Sequence, residues 1–89
     1  MKTIWKYPLA PVENKKIIGM PKGAILLCVQ AQYGNPCLWA LVDSENPAVL
    51  REFSIRGTGH DARDVGQYVG TFQMKGGSLI FHLFDLGEM

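Results

Sequence analysis

The stretch Arg56 to Asp64, RGTGHDARD, gathers more groups able to do chemistry than any other part of this 89-residue chain. Gly57 and Gly59 let backbone amides converge, His60 can donate or accept a proton near neutral pH, and Arg56 and Arg63 carry charge suited to an anion. A glycine-rich turn feeding a helix N-terminus is an anion-binding arrangement. The candidate ligand-binding residues are therefore Arg56, Gly57, Thr58, Gly59, His60 and Arg63. A plainer reading competes with this one. Asp61 and Asp64, three residues apart, place carboxylates at the same helix start, where they satisfy the free amides themselves.

Other chemistry is poorly supported. A metal site would have to use His60, Asp61, Asp64 and His82, but no HxxxH, CxxC or EF-hand spacing joins them, and no metal is expected. Cys28 and Cys37 lie in apolar runs with no histidine placed to activate either thiol, so both read as structural. The Asp61 and Asp64 pair fits capping and solubility better than general acid and base work. No catalytic residue and no cofactor is assigned, and the chain reads as a non-enzyme. Trp39 beside Gln30 is the candidate partner-binding pair, because a large ring with an adjacent amide can both stack and hydrogen-bond. Trp5 and Tyr7 read as packing residues, and His82 as a satisfied surface histidine.

The elements that position these groups are mostly strands. Leu26 to Asp43, LLCVQAQYGNPCLWALVD, is two apolar runs split by Gly34-Asn35. As a two-residue hairpin loop, that step sets Ala31 opposite Leu38, Val29 opposite Ala40 and Leu27 opposite Val42, all on one apolar face. The other face carries Cys28, Gln30 and Gln32 against Leu41, Trp39 and Cys37, too polar for a dry core and too apolar for an ordinary wet surface. This register separates the two cysteines by four residues along the sheet, about 13 Å at ~3.3 Å per residue, so free thiols are expected.

A second hairpin at Gly76-Gly77 sets Met74 opposite Leu79, Phe72 opposite Phe81 and Gly70 opposite Leu83. Its other face pairs Gln73 with Ile80, Thr71 with His82 and Val69 with Phe84. Period-two alternation predicts further strands ending near Tyr7, around Ile17-Ile18, and over Leu50 to Arg56 with Phe53 and Ile55 inward. Only Gly57 to Gln67 lacks strand character, and a helix of one or two turns is predicted there. The fold expected is mainly β: a small antiparallel β-sandwich or half-open barrel built on two hairpins, with one short helix, forming a single domain over residues 1–89. One of the mixed faces should be covered by the short helix, the N-terminal strand or a second copy, which makes a homodimer a candidate state.

Composition narrows the partners. Hydrophobic residues make up 47% of the chain and charged residues 19%, with a formal net charge of +1. That balance argues against disorder, and the absence of a basic stripe argues against a nucleic-acid backbone as partner. No run approaches the ~20 apolar residues of a membrane span, and the MKTIWKYPLAP start lacks a signal-peptide core, so a cytoplasmic location without membrane association is expected.

The segments MKTIWKYPL, MPKGAILLCVQ, PCLWALVD, GTGH and YVGTFQMKGGSLIFHLF, in that order, resemble a family of short uncharacterised proteins encoded by tailed bacteriophages and prophages. The resemblance implies a phage context, action in the host cytoplasm and a single small domain, and it transfers no site. The function expected on this basis is that of a non-enzymatic accessory binding protein, with counter-defence by blocking a host protein as its leading form. One alternative is sequestration of a small anionic, nucleotide-like signal by the glycine-rich loop. A virion or assembly role is a further alternative.

Overall fold

Alternating strands separated by turn chemistry leave little room for helix, and the computed structural model, which describes all 89 residues, is built almost wholly from seven strands. These are β1 (Lys2–Pro8), β2 (Lys15–Pro21), β3 (Ile25–Gln32), β4 (Asn35–Asp43), β5 (Ala48–Gly57), β6 (Gln67–Met74) and β7 (Leu79–Glu88). They form two antiparallel sheets, a three-stranded one in the order β1-β4-β3 and a four-stranded one in the order β2-β5-β7-β6. The result is the small β-sandwich expected. Its 18 Å short dimension fits two sheets stacked about 10 Å apart.

The inward faces meet in a core of Leu9, Met20, Ala24, Val29, Leu38, Ala40, Val42, Phe53, Ile55, Phe72 and Leu83. Phe53 and Ile55 point inward as the alternation of β5 requires, at 0% and 1% exposure. Truncating a ring as deeply buried as that of Phe53 costs about 3–5 kcal/mol.

The sandwich is closed on one side and open on the other. β3 and β6 pack edge to edge, whereas β1 and β2 make almost no contact. Gly70 sits in the closed seam, where an added Cβ would come within 2.7 Å of Val29 Cγ1. On the open side, Trp5 of β1 faces inward yet stays 41% exposed.

Several local expectations are corrected. The first hairpin turns at Tyr33-Gly34, with φ of +50° and +80°, so glycine occupies the second loop position, as a type I′ turn prefers. Val29 therefore faces Leu38 and Ala31 faces Pro36. The slip is by two residues, so the inward set keeps its face. A bulge between Leu26 and Cys28 then directs Leu26 to Ala40 and leaves Leu27 47% exposed, not in the core. Cys28 now lies opposite Trp39 and Cys37 opposite Gln30, and both thiols are free.

No helix forms between Gly57 and Gln67. The segment is a string of turns with Gly59, Asp64 and Gly66 at φ of +88°, +55° and +99°, a conformation no right-handed helix can contain. The second hairpin keeps its expected register from Gly70↔Leu83 through Phe72↔Phe81 to Met74↔Leu79. Pairing stops there, so the loop spans Lys75 to Ser78 and not Gly76-Gly77 alone. A bulge places Tyr68, not Val69, opposite Phe84.

Candidate functional site

Beyond the last residues of β5, the glycine-rich segment folds back against the start of β7. The Thr58 amide donates to the Ile80 carbonyl at 3.1 Å, and the His60 amide donates to the Gly57 carbonyl at 3.0 Å. The His60 ring lies over Gly57, where an added Cβ would meet its Cε1 at 2.8 Å unless the exposed ring turned away. Gly57, Thr58 and His60 line an open hollow of about 260 Å³ shared with Ser78 to Phe81. Gly59 stands outside that lining.

The two arginines expected to meet an anion are committed elsewhere. Arg56 donates through Nε to the Asp61 carbonyl at 3.0 Å and through Nη1 to the carbonyls of Asn14 at 2.7 Å and Ile55 at 3.0 Å. It ties the turn to the β1–β2 connection. Arg63 forks onto the Asp61 carboxylate at 2.7 and 3.1 Å, and its own amide donates to Asp61 Oδ1 at 3.0 Å. The Arg63 side-chain and backbone hydrogen bonds hold the Asp61 carboxyl below the usual carboxylate range, and the same pairing raises the Arg63 guanidinium. Asp61 thus closes an Asx-type turn and does not start a helix.

A polar chain on the outer face of the four-stranded sheet is not visible in the sequence as a unit. Thr71 opposes His82 across β6 and β7. Tyr68 Oη lies 2.6 Å from Thr71 Oγ1, Thr71 Oγ1 lies 2.9 Å from His82 Nδ1, and His82 Nε2 lies 2.8 Å from Thr58 Oγ1. Both ring nitrogens are occupied, which agrees with the reading of His82 as a satisfied surface histidine. The Thr71 and His82 pairing is readable from hairpin register. The arrival of Thr58 is not, because it depends on the turn after β5.

The Arg51 and Asp85 pair also has no local signal. The Arg51 fork reaches both Asp85 oxygens at 3.1 and 2.6 Å and the Ala24 carbonyl at 2.7 Å, with the two side chains 13% and 14% exposed. Burial pushes the Asp85 carboxyl up. Hydrogen bonds from Arg51 and the Gly87 amide, with the Arg51 charge, outweigh it and leave the carboxyl below its ordinary value. The pair braces β5, β7 and the start of β3, and every donor on Arg51 that faces the carboxylate is used.

The outer face of the three-stranded sheet is different in kind. Trp39 and Gln30 are brought together there, around a shallow hollow of about 310 Å³ lined also by Ile4, Leu27 and Cys28. Ile4, Ile25 and Leu27 are 57%, 59% and 47% exposed. Lys6 crosses the face to hydrogen-bond Gln32 at 2.8 Å, drawing a polar border at one end. Lys2 opposite Asp43 marks the other. The mixed face read from the sequence is thus a rimmed apolar patch, made more apolar by the outward turn of Leu27.

No helix is long and apolar enough to cross a membrane. Among known families, the model described as Domain of unknown function (DUF7352) matches residues 1–88. No curated protein and no solved structure matches the chain.

Proposed function

The chain belongs to this family of unknown function, and we propose that it is a non-enzymatic binding protein whose recognition surface is the outer face of the three-stranded sheet. The observation that carries this reading is the apolar patch of Ile4, Ile25, Leu27 and Trp39, rimmed by lysines and glutamines. Exposed apolar patches bordered by polar groups mark sites of protein association, and a tryptophan at the centre is the residue type that anchors such contacts. The partner is a protein of the cell in which the chain acts. The resemblance to phage and prophage proteins supports a host protein in the cytoplasm, with the chain acting as a counter-defence factor that blocks it.

Sequestration of a small anion is the second reading, and the hollow at Gly57, Thr58 and His60 favours it. Arg56 and Arg63 weigh against it, since both guanidiniums are already spent on this chain's own oxygens. Native mass spectrometry of the protein recovered gently from cells separates the readings. A bound protein that is retained by Arg56→Ala and lost from Trp39→Ala supports the binding face. A small mass released on denaturation and lost from His60→Ala supports the anion reading instead.

A further inference from the structure

We infer that the free edge of β1 is a strand-addition site for an extended, acidic segment of the partner, an inference that rests on the binding role proposed above. Three observations converge on this edge. First, β1 pairs with β4 alone, and no backbone hydrogen bond from outside that pair reaches Lys2 to Pro8, since the neighbouring bonds stop at Met1 and Leu9. Along a strand of this length, about half of the residues direct their amide and carbonyl away from the paired neighbour, which leaves a ready ladder for another chain.

Second, both faces of that edge carry unspent apolar area. Ile4 faces outward and continues the Trp39 patch, while Trp5 faces inward and is exposed because the sandwich is open between β1 and β2. An added strand would cover both with alternate side chains, so backbone bonding and side-chain burial act on one segment.

Third, the charge is one-sided. Residues 1–22 hold five of the nine basic residues and one of the eight acidic ones, so they carry a formal +4 against −3 for the rest. Lys2 and Lys15 have carboxylates close by, at Asp43 and Glu52, and Glu13 is the one acid within the segment. Lys6 and Lys16 bond only to neutral oxygens, Lys16 to that of Pro11 and Lys6, leaning across β4 and away from the free edge, to that of Gln32 on β3. Lysines on an edge strand repel a second lysine-bearing edge, so a copy of this chain is disfavoured while an acidic strand is attracted.

The test uses the full chain, amide hydrogen exchange and two acetylated seven-residue peptides, one alternating glutamate with valine and one alternating lysine with valine. The glutamate peptide is expected to slow exchange of the outward β1 amides by about tenfold or more at saturation, and the lysine peptide to leave them unchanged. A Lys2→Glu/Lys6→Glu variant is expected to reverse that preference. Protection confined to β2, equal response to both peptides, or pairing of the chain with itself through β1 overturns the inference. If the peptides fail while Trp39→Ala still abolishes capture of the cellular partner, strand addition alone is wrong. If Trp39→Ala leaves that capture intact, the binding-face reading falls with it.

Discussion

The turn after β5 and the outer face of the three-stranded sheet differ in how their functional groups are used. In the turn, Arg56, Asp61 and Arg63 are matched to partners within the chain, and the charges that made the segment look functional are what hold it in shape. On the outer sheet face, Ile4, Ile25 and Leu27 leave about half of their apolar surface uncovered by the chain. Residue type alone marks the first region. Unspent surface marks the second, and unspent surface is what a ligand or partner can use.

The largest effect that can separate the two regions is on association. Trp39→Ala is expected to weaken partner binding by about 2–3 kcal/mol, with a far smaller change in denaturation midpoint because the ring is only half-buried. Titration calorimetry beside urea denaturation checks both halves of that statement. Equal losses in binding and stability would erase the distinction between the regions.

Arg56→Ala is expected to do the converse. Removing a guanidinium that satisfies three carbonyls should lower stability by about 1–3 kcal/mol and leave partner binding unchanged. Denaturant titration of the variant, with the same binding assay, decides it.

Acid sharpens the comparison further, because the lowered carboxyls belong to structural contacts. The Asp85 carboxyl is lowered in the folded state by Arg51 and the Gly87 amide. Its contribution is therefore fully present above the unfolded value near ~3.9 and is lost as pH falls through the folded value. Stability by urea titration should begin to drop only below about pH 5 and go on falling as pH passes through the folded value, and Asp85→Asn should flatten part of that drop. The smallest effect expected is that of Asp61→Asn, whose partner Arg63 is largely solvated: no measurable change in midpoint at pH 7.

Much of the architecture is readable from residue pattern, and the misses share a physical origin. The second hairpin keeps its register because period-two alternation and two adjacent glycines agree. The first slips because Tyr33 adopts a left-handed conformation that its residue type does not announce, and because the bulge at Leu27 changes which leucine faces inward. The helix predicted at Asp61 fails because an aspartate bonding an amide two residues on serves an Asx turn as well as a helix cap. Arg51 and Asp85 are 34 residues apart, so only tertiary structure joins them. Gln30 and Trp39 are legible as sharing a face because a two-residue slip leaves every side chain on its own side of the sheet, although Cys28 and not Gln30 stands opposite Trp39. The gathering of lysines on the open side is not legible, because it depends on how β1 and β2 are placed in separate sheets.

The measurement that bears most directly on the outer face as the recognition surface is the affinity of the captured partner for three forms of the chain: unchanged, Leu27→Glu and Arg56→Ala. The account predicts that Leu27→Glu, which places a charge within the exposed apolar patch without touching the core, abolishes binding while the fold persists, and that Arg56→Ala binds normally. Normal binding by Leu27→Glu, with loss in Arg56→Ala, would contradict it and return the site to the turn after β5.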